Sequence, residues 1–197
     1  MRARRASRPR ISCGRSAAGA NVREVVAQII LTGFMGTGKT EVGRRLARTL
    51  GRTFVDTDRL VEMKAGRRVA EIFATQGEAA FRALEREAVT EACAIPDAVV
   101  ATGGGALLDR DNRRRLAAAG PIVCLTASPE EILRRIPDAS SRPLLASAKT
   151  KSERLERIQS LLAARESAYA SATHAIDTTG LTVDQVVDRV RAAVDVR

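Results

Sequence analysis

The 197-residue sequence has no tryptophan, one tyrosine, four phenylalanines, one histidine and three cysteines. Each scarcity excludes something. The aromatic residues (Phe34, Phe54, Phe73, Phe81 and Tyr169) do not interleave with a basic stripe, so the body of the chain lacks the stacking platform that single-stranded nucleic acid needs. Cys13, Cys93 and Cys124 show no metal-ligand spacing and are too few for a disulfide framework, which suits a reducing compartment. His174 opens an apolar stretch with no partner motif around it and reads as structural. No apolar run approaches the length of a membrane-spanning helix, so the expectation is a soluble, cytoplasmic protein. Lysine is scarce as well, at four residues against 29 arginines, so the net charge of +10 is mostly guanidinium.

That charge is unevenly spread. Residues 1–24 hold seven arginines and a single acid, Glu24, and so carry +6 of the +10. They are rich in Arg, Ser, Ala and Gly, show no hydrophobic period, and read as a disordered basic arm. Their bias resembles that of an organelle transit peptide, but the apolar residues for an amphipathic face are nearly absent, which favours a plain solvated arm. Nucleic acid is a partner for the arm at most.

From residue 25 to the end the pattern alternates strand and helix as one domain. Short apolar runs predict strands at Ala27–Thr32, Thr53–Asp56, Ala98–Thr102, Ile122–Thr126 and Ala175–Asp177. Helical spacing predicts helices at Thr40–Leu50, Arg59–Ala65, Val69–Thr75, Glu78–Cys93, Arg110–Ala119, Pro129–Arg135, Ser152–Tyr169 and Val183–Val194. Ser128-Pro129-Glu130-Glu131 and Thr182 with Gln185 are capping boxes. Continuous apolar strands alternating with helices argue an α/β fold, a parallel sheet covered on both faces. Residues 136–150 break the rhythm with two prolines and nearby arginines, and are expected to form a mobile lid.

The most specific signal is Gly33-Phe34-Met35-Gly36-Thr37-Gly38-Lys39-Thr40, a complete G-x-x-x-x-G-K-[ST] phosphate loop between a strand and a helix. Its glycines let backbone N–H groups cradle an anion at the positive end of the helix. Lys39 can reach the β- and γ-phosphates, and the Thr40 hydroxyl can ligate Mg²⁺. Asp56-Thr57-Asp58 ends the second strand, where ligands of open α/β sheets bind. One carboxylate there can serve the metal and the other an acceptor hydroxyl, although Asp58 could also simply cap the helix that follows. Thr102-Gly103-Gly104-Gly105 clears side chains at the end of the third strand, which carries no acid of its own. Arg82 and Arg165, taken singly, read as surface arginines. They gain meaning only if the acceptor is an anion, which a guanidinium fork grips bidentately.

Together with Gly33–Thr40 and the aspartate pair, Ile72-Phe73-Ala74-Thr75-Gln76-Gly77-Glu78 running into Phe81-Arg82-x-x-Glu85, then Gly103-Gly104-Gly105, Arg142-Pro143-Leu144-Leu145 and Arg165-x-x-x-Tyr169, occur in an order and spacing that resemble shikimate kinase. The resemblance covers about residues 25–195. It implies a three-layer fold like that of the P-loop nucleoside monophosphate kinases, with a central five-stranded parallel sheet. It also implies ATP-dependent phosphorylation of the 3-hydroxyl of shikimate by a monomer, within aromatic amino-acid biosynthesis, with Mg²⁺ as cofactor. By that resemblance Asp58 binds the acceptor hydroxyls and is the candidate base, while Arg82 and Arg165 clamp its carboxylate beside Gly104 and Gly105. Gly36, Thr37, Gly38, Lys39 and Thr40 hold the nucleotide phosphates, Lys39 and Arg142 stabilise the transferring phosphoryl group, Thr40 and Asp56 serve the metal, and Arg135 lies near the adenine. The lid departs from the family pattern at Pro137-Asp138-Ala139-Ser140-Ser141, where a more Gly-rich loop is usual. Two other readings remain: a different P-loop small-metabolite kinase, such as one for gluconate, and a nucleic-acid-associated ATPase using the arm.

Overall fold

The computed structural model describes residues 27–136, 142–145 and 147–195. The basic arm and the departing lid residues 137–141 lie outside them. Five parallel strands form one sheet in the order β2-β3-β1-β4-β5, where β1 is Ile29–Gly33, β2 Thr53–Asp56, β3 Ala98–Ala101, β4 Ile122–Thr126 and β5 His174–Asp177. The central strand β1 is buried along its whole length, as a parallel strand covered on both faces must be.

Alternation along β1 divides the core in two. Ile29 and Leu31 join Val42 and Leu46 of α1 (Lys39–Leu50) and Val186, Val187 and Val190 of α8 (Val183–Ala193) on one face. Ile30 faces the other way with Val100, Leu107, Leu116 of α4 (Arg110–Ala119), and Val89 and Ala92 of α3 (Val69–Cys93). This two-sided covering is the expected α/β sandwich. A third cluster, Phe34, Ile132, Ile136, Leu145 and Ile158, joins the phosphate loop to α5 (Pro129–Arg135) and α6 (Lys151–Ala163). A fourth, with Val61, Ile72, Phe81 and Ala88, packs α2 (Thr57–Ala65) against α3.

Local sequence explains most boundaries. The Ser128 hydroxyl accepts from Glu131 N at 3.2 Å with Pro129 opening α5, and Thr182 and Gln185 cap α8 reciprocally. The two helices expected on either side of Gln76-Gly77 run on as α3 with a kink at Gly77 (φ 79°, ψ 177°), a conformation that favours glycine. Two expectations are corrected. Ser152–Tyr169 is not one helix: α6 ends at Ala163, and a single turn, α7 (Glu166–Tyr169), begins after Arg165. The break turns Arg165 inward, to 4% exposure, where its guanidinium lies 5.2 Å from the Phe34 ring centre. The helix expected from Arg59 starts at Thr57 as α2, and its cap is Asp56, whose carboxylate accepts from Asp58 N and Arg59 N, so the alternative of Asp58 as a mere cap falls away.

Candidate active site

The phosphate loop leaves β1 at Gly33, where the chain touches β4 so closely that a Cβ would lie 2.1 Å from Leu125 O. Gly36 and Gly38 take positive φ, 78° and 94°, which bends the backbone round on itself. Gly38 caps α1 without any side chain, so the first-turn N–H groups of α1 are left for an anion. The loop is braced internally: Thr37 Oγ1 donates to Phe34 O at 2.8 Å and Lys39 Nζ donates to the same carbonyl at 2.9 Å. Burial lowers the Lys39 pKa to about 8; Arg142 pushes it the same way, and Asp58 and Asp56 oppose.

Beside the loop, Thr40 Oγ1 donates to Asp56 Oδ2 at 3.0 Å. This is a pair of hard oxygen donors of the kind Mg²⁺ uses together with phosphates and water. Among the described residues no group of three or more His, Cys, Asp or Glu could form a closed metal cage. The pair therefore fits a shared protein–phosphate site, and Asp56 does double duty as the cap of α2.

A cavity of about 810 Å³ opens next to this pair, lined by Asp58, Arg82, Glu85, Gly103, Gly104, Gly105, Arg142 and Arg165 as well as Thr40 and Asp56. Side chains crowd Gly103 and Gly105, whereas the atom nearest a Cβ on Gly104 would be the Gly33 carbonyl oxygen at 3.2 Å. A Cβ on Gly103 would sit 2.7 Å from Asp58 Oδ1 and 2.8 Å from Glu85 Oε1, and one on Gly104 would sit 3.4 Å from Arg165 Nη1. On Gly105 it would lie 2.6 Å from both Nη atoms of Arg82. The loop is tied down by Gly103 N donating to Thr57 Oγ1 at 3.0 Å, and by the Gly104 carbonyl accepting from Arg165 Nη1 at 3.1 Å.

The charges around the loop are arranged for a ligand. Arg82 is held on both flanks, with Nη1 donating to Glu85 Oε2 at 2.7 Å and Nη2 to Glu78 Oε1 at 2.8 Å. Asp58 Oδ1 and Glu85 Oε1 are buried without a hydrogen-bond partner among the described residues, and both face Gly103. Two carboxylate oxygens in this position need donors, which a bound ligand or water can bring. Burial raises the Asp58 pKa to about 6, with Asp56 adding to the rise and Lys39 opposing it. Burial likewise raises Glu85, against the pull of Arg82.

The site residues expected from sequence thus fall into two adjoining groups, Gly36–Thr40 on the loop and Asp56, Asp58, Arg82, Gly104, Gly105, Arg142 and Arg165 around the cavity. Arg135 does not line the cavity; it donates to Gly36 O at 3.3 Å, to Thr178 Oγ1 at 2.9 Å and to Thr178 O at 2.8 Å, clasping the phosphate loop to the end of β5. Glu78 and Glu85, which aim Arg82, were not singled out as site residues. Their i−4 and i+3 spacing from Arg82 on one helix was the available signal.

A family model for shikimate kinase matches residues 35–195. The chain belongs to the shikimate kinase family. It is 47% identical to a shikimate kinase of Caldanaerobacter subterraneus subsp. tengcongensis over 82% of this chain and 92% of that protein. It is 48% identical to that of Geobacter metallireducens, over 82% of this chain and 88% of that one. Among solved structures, shikimate kinase from Acinetobacter baumannii in complex with shikimate superposes with a TM-score of 0.80 at 34% identity, covering 85% of this chain and 92% of that one. Members of this family are phosphotransferases, and ATP is their co-substrate.

Proposed function

We propose that this chain transfers the γ-phosphoryl group of ATP to the 3-hydroxyl of shikimate, giving shikimate 3-phosphate and ADP on the route to chorismate and the aromatic amino acids. One observation carries the reading: two arginine forks and two unpartnered carboxylate oxygens converge on Gly103–Gly105, directly beside a phosphate loop. An acceptor that satisfies all four must bring an anion and hydroxyl donors on one small frame, as a hydroxylated carboxylic acid does.

In this reading Arg82 and Arg165 grip the acceptor carboxylate, and Asp58 accepts hydrogen bonds from its hydroxyls. With a pKa of about 6, Asp58 is ionised near neutrality and can take the 3-hydroxyl proton as the oxygen attacks phosphorus and the bond to ADP breaks. The backbone at Gly36, Thr37 and Gly38 cradles the phosphates, and Lys39 and Arg142 neutralise charge on the group in flight. Thr40 and Asp56 would hold Mg²⁺, which when bound neutralises the β- and γ-phosphate oxygens. Arg135 would present the face of its guanidinium to the adenine, its edges being engaged by Gly36 and Thr178. The enzyme is read as a cytoplasmic monomer, in keeping with the free thiols of Cys93 and Cys124.

The deciding experiment measures ADP release from Mg²⁺–ATP with shikimate, gluconate, AMP or RNA added. Turnover should depend on shikimate alone. ADP release that ignores shikimate, or responds equally to gluconate, overturns the reading.

A further inference from the structure

The Arg165-x-x-x-Tyr169 pair has a second member with no role so far. Helix α6 stops at Ala163, and the chain restarts as the single turn α7 with Arg165 as its N-cap. Tyr169 N donates to Arg165 O at 2.9 Å, so the two side chains stand one turn apart on the same side of the helix. They converge on one atom. Arg165 Nη1 donates to Gly104 O at 3.1 Å, and the Tyr169 hydroxyl donates to that same oxygen at 2.7 Å. A carbonyl offers two lone pairs, and here both are engaged.

The phenol is well anchored for this. Its partly buried ring packs against both the Phe34–Ile132–Leu145 cluster and the Ile30–Val100–Leu116 cluster. Gly104, by contrast, has a glycine on either side and little intrinsic preference for one peptide orientation. Because the peptide is planar and trans, holding the Gly104 carbonyl also sets the direction of the Gly105 N–H on the opposite edge. Gly105 in turn lies against the Arg82 guanidinium.

We propose that Tyr169 is a positioning residue for the acceptor: its hydroxyl shares the Gly104 carbonyl with Arg165, fixing the glycine loop between the two arginines that hold the acceptor carboxylate. This rests on reading Arg82 and Arg165 as that clamp. Without the hydroxyl, Arg165 alone restrains the carbonyl and is drawn further into that bond, at the expense of the acceptor.

The chain has no tryptophan and no other tyrosine, so its tyrosine emission reports on Tyr169 alone. Titrating the wild-type protein with shikimate, without nucleotide, should change that emission with a midpoint equal to the calorimetric Kd. A flat emission while calorimetry records binding overturns the proposal. In Tyr169→Phe, the Kd and KM for shikimate should rise about three- to tenfold, the loss of one neutral hydrogen bond, with kcat and the KM for ATP within about twofold. A lowered melting temperature with an unchanged shikimate KM would mean a purely structural tyrosine and would also overturn it. If Tyr169→Phe does not fold, the wild-type titration decides. Absence of shikimate binding by the wild type overturns the clamp reading, and this proposal with it.

Discussion

Gly105→Ala tests the acceptor site with a single methyl group. Gly105 has φ −112° and ψ 1°, which alanine can adopt, so the backbone has no reason to object. The new Cβ would, however, sit 2.6 Å from both terminal nitrogens of Arg82, where ordinary contact begins near 3.4 Å. The guanidinium must retreat by about 0.8 Å, and it is not free to do so. Glu85 holds one side at 2.7 Å and Glu78 the other at 2.8 Å, and Glu85, with its side chain only 1% exposed, cannot be left as an uncompensated charge. The fork will stay with Glu85 and turn away from the acceptor. Loss of a charged hydrogen bond costs about 1.5–3 kcal/mol, or roughly 10- to 150-fold in acceptor affinity. Steady-state kinetics at saturating Mg²⁺–ATP should show that rise in the shikimate KM, with the KM for ATP unchanged. In an Arg82→Ala background the same methyl group should add less than about twofold, because the atoms it strikes are gone. A shikimate KM within twofold of wild type, or an equal effect in both backgrounds, would refute the placement of Arg82.

Four further outcomes follow from the same geometry. Lys39→Ala should cut kcat by roughly 10²–10³-fold in the ADP-release assay, the scale of losing one charge-stabilising donor; a retained kcat would contradict the loop's role. The pH profile of kcat/KM should be a bell, rising through about pH 6 as Asp58 ionises and falling above about pH 8 as Lys39 loses its proton, and Asp58→Asn should abolish the acid limb. Stability runs the other way: the Asp58 pKa is raised from 3.8 to about 6, so its ionisation disfavours the fold as pH climbs through that window, and Asp58→Asn should melt higher than wild type at pH 7.5, with the gain shrinking toward pH 4. Gly33→Ala, which drives a Cβ to 2.1 Å from Leu125 O at a φ of +130°, should destabilise by about 4 kcal/mol or more in urea denaturation; a smaller loss would mean that β1 and β4 can separate there.

The parallel sheet was legible because its strands are continuous apolar runs, and every predicted strand is present to within a few residues. Strand order was not legible, since it depends on long-range pairing that leaves no local mark. The break at Arg165 was hidden for a different reason. Leu161 through Ala170 carries helix-forming residues without a glycine or proline, so only the pull of Phe34 and Gly104 on the guanidinium shows where the helix ends. On sequence grounds Asp58 could have been no more than the cap of α2. The structure gives the cap to Asp56 and leaves the Asp58 carboxylate to the cavity. Arg82 and Arg165 were singled out by a family resemblance, whereas the carboxylates that aim Arg82 were marked in the sequence only by their helical spacing from it.

The strand order has a consequence for how such an enzyme could change its diet. Asp58 follows β2 and the glycine run follows the neighbouring β3, with Arg82 and Glu85 between them in sequence, so most of the lining around the acceptor is contributed by residues 53–105. The phosphate loop precedes that stretch on the adjacent β1 and can be inherited unaltered. Of the two arginines read as the acceptor clamp, Arg165 reaches in from near the other end of the chain, and Arg142 also lines the cavity from beyond that stretch. Grafting a foreign 53–105 segment that kept Asp56 would therefore exchange most of the acceptor site while the phosphate loop stayed put. A new acceptor without a carboxylate would leave Arg165 buried and idle, and a single matching substitution at position 165 would be the toll for crossing to a neutral polyol.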